Sequence, residues 1–505
     1  MTRDLRLLPA AGLGWLGCLV GVRADLLLGG LLVMGALVTA AVAASRLGRP
    51  PGGRHRRRTP GRAAATVVLT GTVIGMLTGW ALVRAEVRDA VVEPHLRTTV
   101  SAVLRIDGDP RRAGEEQVVV AATWLSVTPS TAGSTEIELP GVAVAVLAPA
   151  AWADLVVGSR VETSARVAPT PRGDDTGALL VAGGEVTVLA RAPPIAAAVA
   201  SLRAGLLAAC AGLDPQAQGL VPGIALGDDR ALPVSLEDDL RAVSLTHVTA
   251  VSGAHVAMVL GLVLAAGARL RRAWRAVVGS AVLVGLVLLV HPGASVLRSA
   301  AMGGVLLLGL LLGRPRAALP ALWTAILVLL AVDPWLAASF GFVLSVLATA
   351  GLLLAAGPLA LRFGRVLPSP LAMALAVPVA AQLACLPALA LLSPQLPVHG
   401  VLANVLAAPA VPPVTVLGLL ATLVHPALPG LSEALAAWAG VATAWIASVA
   451  TWCAHLPMTG APWWTVPVGL VVVVLVRARG PARRSAGGSG RDCEPAPPPV
   501  DGRTL

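Results

Sequence analysis

The densest group of polar side chains in an apolar setting is His247-Val248-Thr249-Ala250-Val251-Ser252-Gly253-Ala254-His255. Read as one helix, its two histidines lie about 12 Å apart along the axis and within roughly 80° of one face. Ser252 sits between them, and the small Ser252-Gly253-Ala254 group permits either close helix approach or a break in the helix. Two readings fit: a polar lining that contacts a solute, or a helix–helix interface in which the imidazoles bond carbonyl groups. A metal site is disfavoured because no third ligand stands at a matching spacing. Arg298, within Ser295-Val296-Leu297-Arg298-Ser299, places a guanidinium a few residues inside another apolar stretch. It can snorkel to the surface or bind a phosphate. Gln382 and Asn404 are amides within or near apolar stretches and can hold neighbouring helices. Asp333-Pro334 reads as a helix start ahead of Ser339, Phe340, Gly341 and Ser345. Gly227-Asp228 lies within Gly223-Ile224-Ala225-Leu226-Gly227-Asp228-Asp229-Arg230-Ala231-Leu232-Pro233. No P-loop sequence, His-Glu-x-x-His or His-x-x-Glu-His motif occurs, so the sequence offers no catalytic residue and no cofactor site, and an enzyme is not expected.

The elements that carry these residues are membrane spans. Of 505 residues, 56% are hydrophobic and only 13% charged, against about 25% charged in soluble domains. The net charge of +11 has a topological explanation, because arginines cluster in short loops between apolar runs. Residues 7–22, 25–44 and 63–83 read as three spans, and the seven arginines of residues 45–62 mark a cytoplasmic loop. Nine further apolar segments follow: 247–268, 276–291, 294–313, 317–332, 336–358, 370–392, 400–424, 432–456 and 463–476. Basic clusters recur on alternate crossings, which predicts about twelve spans with both termini cytoplasmic. Residues 195–245 read as interfacial and amphipathic helices, with the second over Ser235–Leu245. Residues 477–505, rich in Arg, Gly and Pro, read as a disordered cytoplasmic tail. The five cysteines, Cys18, Cys210, Cys385, Cys453 and Cys493, show neither metal-site nor disulfide spacing. No cleavable signal peptide is evident.

Residues 85–194 change period. Short alternating stretches at 98–106, 116–128, 141–149, 153–168 and 178–190 are separated by turn signals such as Asp107-Gly108-Asp109-Pro110. They predict a small all-β, OB-like barrel on the extracellular side. Its nine arginines against fourteen carboxylates leave it net acidic, and only Trp124 and Trp152 could offer stacking faces. A basic groove with aromatic platforms, the usual single-strand binding surface, is not visible. The fold class is therefore a polytopic α-helical membrane protein with an inserted extracellular β domain.

Taken in order, the motifs resemble the ComEC-type competence protein family, the inner-membrane DNA-uptake channel of transformable bacteria. His247 to Val256 is similar to that family's histidine signature, and Gly223 to Pro233 to the Gly-Asp…Leu-Pro stretch upstream of it. Ser295 to Arg298 is similar to a Ser-x-x-Arg element, and Asp333-Pro334 with Ser339 to Ser345 to an Asp-Pro…Ser element. Gln382-Leu383 with Pro387, and Pro397 to Pro409 around Asn404, complete the series. The resemblance implies passage of one DNA strand across the cytoplasmic membrane. The path would be lined by His247, Ser252, Gly253, His255, Arg298, Gln382 and Asn404, with Gly227, Asp228, Asp333, Pro334 and Ser345 as structural positions. Partners implied are single-stranded DNA, the lipid bilayer, a separate cytoplasmic DNA motor, a DNA-receptor protein and, as a candidate, a second copy of the chain. Longer family members carry a metallo-β-lactamase-like domain whose His-rich motif is not found here, so nuclease activity is expected of a separate protein. The rival readings are a small-solute or lipid-linked transporter, for which no internal repeat is evident, and an intramembrane enzyme.

Overall fold

The computed structural model describes residues 7–24, 26–47, 60–114, 116–129, 135–183, 185–249, 251–291, 294–313, 318–392, 395–397, 399–457 and 460–462. The tail at 477–505 and the expected span 463–476 lie outside the described residues. Three amino-terminal helices, α1 (Leu8–Arg23), α2 (Leu26–Leu47) and α3 (Pro60–Val92), form a hairpin-like bundle. Small residues set their spacing: a Cβ on Gly21 would meet the carbonyl oxygen of Thr78 at 2.8 Å, and one on Gly71 that of Ala36 at 2.8 Å. The expected third span ends near residue 83, whereas α3 runs on to Val92. Nothing between Trp80 and Glu93 breaks a helix; Pro94 does. The added turns carry Arg84 and Arg88 beyond the apolar part of the helix.

The β domain comprises β1 (Thr99–Ile106), β2 (Arg111–Arg112), β3 (Gln117–Pro129), β4 (Ile137–Pro149), β5 (Arg160–Pro169), β6 (Ala178–Ala182) and β7 (Thr187–Ala190). Pairing runs β1–β3–β4–β6–β5, and β1 also pairs with β5, which closes a five-stranded barrel. β4 and β6 run parallel; the other barrel pairs are antiparallel. Alternation buries Val100, Ala102, Leu104 and Ile106 of β1 inside the barrel, as a period of two requires. Trp124 and Trp152 fill the same core at 0% and 1% exposure, so neither presents a stacking face.

The remaining helices are α4 (Pro194–Cys210), α5 (Pro215–Leu226), α6 (Val234–Ala242), α7 (Thr246–Thr249), α8 (Gly253–Ala266), α9 (Arg272–Val290), α10 (Ala294–Leu311) and α11 (Ala318–Val332). They continue as α12 (Phe340–Gly351), α13 (Gly357–Phe363), α14 (Ser369–Leu392), α15 (Gly400–Ala407), α16 (Val411–Val424) and α17 (Pro429–Ala454). α6 is the expected amphipathic helix, burying Leu236 and Leu240. α4 buries Arg203 and packs its other buried residues with those of α5, α16 and α17, so it belongs to the bundle rather than to the surface.

Among the described residues, six helices are long and apolar enough to cross a membrane, and the α15–α16 pair, bent by 53°, is apolar enough to form either a broken seventh span or a re-entrant loop. The bend falls at Pro409, which has no amide hydrogen to continue the helix and whose ring crowds the carbonyl four residues back. The expected spans at α1, α8, α10 and α11 are shorter apolar helices. One expected span differs in kind. Residues 247–268 are not one helix; they are broken between Thr249 and Gly253.

The barrel core predicts a measurable cost. Trp124→Ala is expected to lose about 3–5 kcal/mol and to make residues 85–193 of the full chain sensitive to limited proteolysis in membranes. Undiminished resistance would contradict the buried placement of Trp124.

Candidate functional site

The break in the histidine segment has a local cause. Ser252 is extended, at φ −100° and ψ 168°, and caps α8. Its hydroxyl accepts from the His255 amide, while Nδ1 of His255 accepts from the Ser252 amide at 2.9 Å. This reciprocal capping box satisfies two amides that a continuous helix would have bonded elsewhere. The histidines therefore do not share one continuous helical face. His247 belongs to α7, is exposed, and its ring Nδ1 lies 2.9 Å from the Ser244 carbonyl oxygen. His255 is 4% exposed. Because its Nδ1 accepts, the ring proton resides on Nε2, and among the described residues that Nε2 has no partner. A buried donor without an acceptor costs about 1–3 kcal/mol.

Arg298 lies in the second turn of α10 and is also 4% exposed. It does not snorkel. Its Nε donates to Ser345 Oγ on α12 at 2.8 Å, Nη1 to Met302 Sδ at 3.2 Å, and Nη2 to Ser299 Oγ at 3.3 Å. None of these acceptors carries charge, and among the described residues no carboxylate pairs with Arg298. Translocon-based scales put an arginine at the centre of a span at about 2.5–3.5 kcal/mol. The guanidinium also faces the start of α8: a Cβ on Gly253 would fall 2.8 Å from Arg298 Nη2 and 2.7 Å from Ser299 Oγ. A side chain at position 253 would have to displace the Ser299 hydroxyl or the Arg298 guanidinium. A helix amino terminus and an uncompensated guanidinium, both favourable to anions, meet at one place.

Two motif elements, Ser-x-x-Arg and the one ending in Ser345, are joined by the Arg298–Ser345 bond across 47 positions. Gln382 and Asn404 are not bonded to Arg298. Asn404 donates to the Gly400 carbonyl of its own helix at 2.7 Å, and Gln382 is half-buried on α14. Asp333 accepts from the Trp335 amide at 3.0 Å, with Pro334 at the first helical position, as its sequence setting implies. Trp335 is stacked by Arg88, 4.6 Å from its ring centre, and by Arg84 at 5.5 Å. Sequence reasoning gave no role to Arg84 or Arg88, since both look like ordinary flanking charges.

Gly227 ends α5 at φ 71°, and Asp228 begins a charge network at the join between β domain and bundle. Arg230 holds Asp228 bidentately at 2.8 and 2.6 Å. Arg203 reaches Asp228 at 3.3 Å and Asp109, in the β1–β2 loop, at 2.7 Å. The sequence gives no sign that Asp109 and Arg203 meet, because they are 94 positions apart. Beside the network a recess of about 340 Å³ is lined by Arg111, Gly227, Asp229, Glu237, Arg241, Thr246 and Thr249. One wall is the β domain, and the others come from the segment that leads into the broken helix.

A family model described as "Competence protein" matches residues 224–479, half of the chain. The chain belongs to the competence protein family. The match takes in every helix from α6 onward, the broken histidine segment and Arg298, while the β domain and the first three helices lie before it. No curated protein and no solved structure matches. Family membership and the apolar helices make the competence chain a membrane protein, and the family's role is in DNA uptake in competence.

The network has a pH signature. Burial alone raises the pKa of Asp109, but the His291 hydrogen bond and the Arg203 and Arg230 charges outweigh it and hold the carboxyl at about 2 rather than 3.8. A depressed folded-state pKa stabilises above the unfolded value and loses that contribution as pH falls through the folded one. The stability gap between the wild-type chain and Asp109→Asn, on the order of 2 kcal/mol, is therefore expected to be constant above about pH 4 and to shrink between there and pH 2. Thermal unfolding at a series of pH values measures it; a gap that closes between pH 8 and 5 would contradict the assignment.

Proposed function

We propose that this chain conducts one strand of DNA across the cytoplasmic membrane. The strand passes the broken segment at Ser252 and meets Arg298 and His255 within the bundle. The observation that carries this reading is Arg298, a buried guanidinium without a carboxylate, facing the amino terminus of α8 across Gly253. A phosphate supplies what both groups lack: negative charge for the guanidinium and acceptor oxygens for donors such as His255 Nε2. Backbone at membrane depth stays irregular only where it is buried in protein or lines a watered cavity, and residues 251–252 fit that rule. Uncharged neighbours suit transport, because a fixed carboxylate would compete with each phosphate and repel the next.

In this reading the chain has about twelve crossings, with the shorter apolar helices and residues 463–476 counted among them. Its termini are cytoplasmic and its β domain is extracellular. The β domain guides and gates rather than binding bases by stacking, in keeping with its acidic balance and its buried tryptophans. His247, at the exposed end of α7, lies on the approach. In this reading force comes from a separate cytoplasmic motor.

The test is entry of labelled DNA into the cytoplasm, with surface binding scored separately. Deletion of the chain should abolish entry and spare surface binding. Arg298→Gln at normal expression should lower entry about ten- to hundredfold, the equivalent of losing one charged hydrogen bond of about 1.5–3 kcal/mol. Arg298→Lys should fall between, because it keeps the charge but loses the planar fork. Wild-type entry in Arg298→Gln would remove the phosphate contact, and undiminished entry in the deletion would remove the channel.

A further inference from the structure

Between Arg241 and Glu433 the sequence holds nine arginines and one carboxylate, Asp333. Asp333 lies on the side of the β domain, in the turn whose Trp335 is bracketed by Arg84 and Arg88. The end of α9 lies on the same side, where His291 meets Asp109. The start of α9 at Arg272 is therefore about 28 Å away, at 1.5 Å per residue. On that far face α8 turns into α9 through Arg269, Arg271, Arg272 and Arg275. The span that starts after the Asp333 turn runs 24 residues from Phe340 to Phe363, so Arg362 and Arg365 lie on the far face too.

Arg275 is spent on the fold: it is half-buried, and its Nη2 donates to the Leu264 carbonyl at 3.1 Å. Arg269, Arg271, Arg272, Arg362 and Arg365 are exposed, and among the described residues none of them makes an ion pair or a side-chain hydrogen bond. Two carboxylates come to this side of the bundle. Asp214 accepts from the Ala217 amide at 3.1 Å and caps α5, and Glu433 is exposed at the start of α17, whose other end bonds Asp239 through Thr451. Neither pairs with an arginine.

Membrane orientation accounts for the arginines. It does not account for the scarcity of carboxylates among them, because Asp and Glu contribute little to orientation. Five guanidinium groups left without counter-charge suit a polyanion. An aromatic face is interleaved with them: Trp274, in the first turn of α9, is 61% exposed. Unpaired cations beside an exposed ring are the elements of single-strand binding, with charge for the phosphates and a stacking face for the bases. The β domain, net acidic and with its tryptophans buried, has neither.

We propose that this face is an exit site, where Arg269, Arg271, Arg272 and Trp274, with Arg362 and Arg365, hold the single strand as it leaves the membrane. A strand held here does not slide back through the bundle when the pull on it pauses. The proposal rests on the conduction reading for the strand's direction but not for the binding itself.

The test uses the purified full chain in phosphatidylcholine nanodiscs and a fluorescent single-stranded thymidine oligonucleotide, with affinity measured over a range of salt concentrations. The logarithm of the binding constant should fall against the logarithm of salt with a slope of about −0.7 for each phosphate contacted. Changing Arg269, Arg271 and Arg272 together to Gln should flatten that slope by about 2, and changing all three to Lys should restore it. Trp274→Leu should lower affinity about tenfold with the slope unchanged. Arg362→Gln with Arg365→Gln is an independent variant that should flatten the slope by about 1.4, so the outcome does not depend on one set of substitutions folding. Thermal unfolding like that of the wild type limits the comparison to folded chains. Wild-type affinity and slope in both glutamine variants overturn the proposal. Loss of oligonucleotide binding when phosphatidylglycerol replaces part of the phosphatidylcholine overturns it as well, because the arginines then hold lipid headgroups. Undiminished DNA entry in the deletion strain would defeat only the conduction reading and leave the binding result to stand by itself.

Discussion

A charged guanidinium inside an apolar bundle must be neutralised, wetted or used, and Arg298 is bonded to two hydroxyls and a thioether. Much of the architecture around it follows from that constraint. Ser345 on α12 and Ser299 hold the group in place without cancelling its charge. Gly253 removes the one side chain that would separate it from α8. Ser252 and His255 cap that helix so that its amino terminus, rather than its side, meets the guanidinium. Had the histidine segment been a continuous helix, no helix amino terminus would face the guanidinium.

The outer parts of the chain place this centre rather than form it. The amino-terminal helices dock through Trp15, whose indole donates to Ala337 at 2.8 Å, beside the Asp333-Pro334 turn. Arg84 and Arg88 bracket Trp335 from α3, so the same turn joins the first three helices to the competence domain. The β domain is attached covalently through α3 and α4, and electrostatically both through Asp109 to Arg203 and through Arg172 to Glu86 and Asp89 of α3. The barrel is closed, with no free sheet edge within the ring.

Much of this was legible in the sequence. The β domain follows from period-two alternation and turn residues, and the helical segments follow from apolar length. The polar residues at membrane depth announced themselves because they are rare there, and Arg298, Ser252 and His255 do converge on one region. Three features were not legible. The helix break depends on a capping box in which His255 takes the place usually held by Glu or Gln, so the usual signal is missing. The meeting of Asp109, Arg203 and His291 spans 182 positions and has no local pattern. Gln382 and Asn404 share the amide chemistry of a polar path, yet Asn404 bonds its own helix, which composition alone cannot distinguish.

The central claim, that DNA passes Arg298, is most directly tested by photocrosslinking in competent cells taking up labelled DNA. Met302, which accepts from Arg298, is replaced by a benzophenone-bearing residue, with Leu308 on the exposed side of the same helix as the comparison. The account predicts a light-dependent adduct between the chain and incoming DNA at position 302 and none at 308. DNA entering at the normal rate with no adduct at 302, or with equal adducts at both positions, would contradict it.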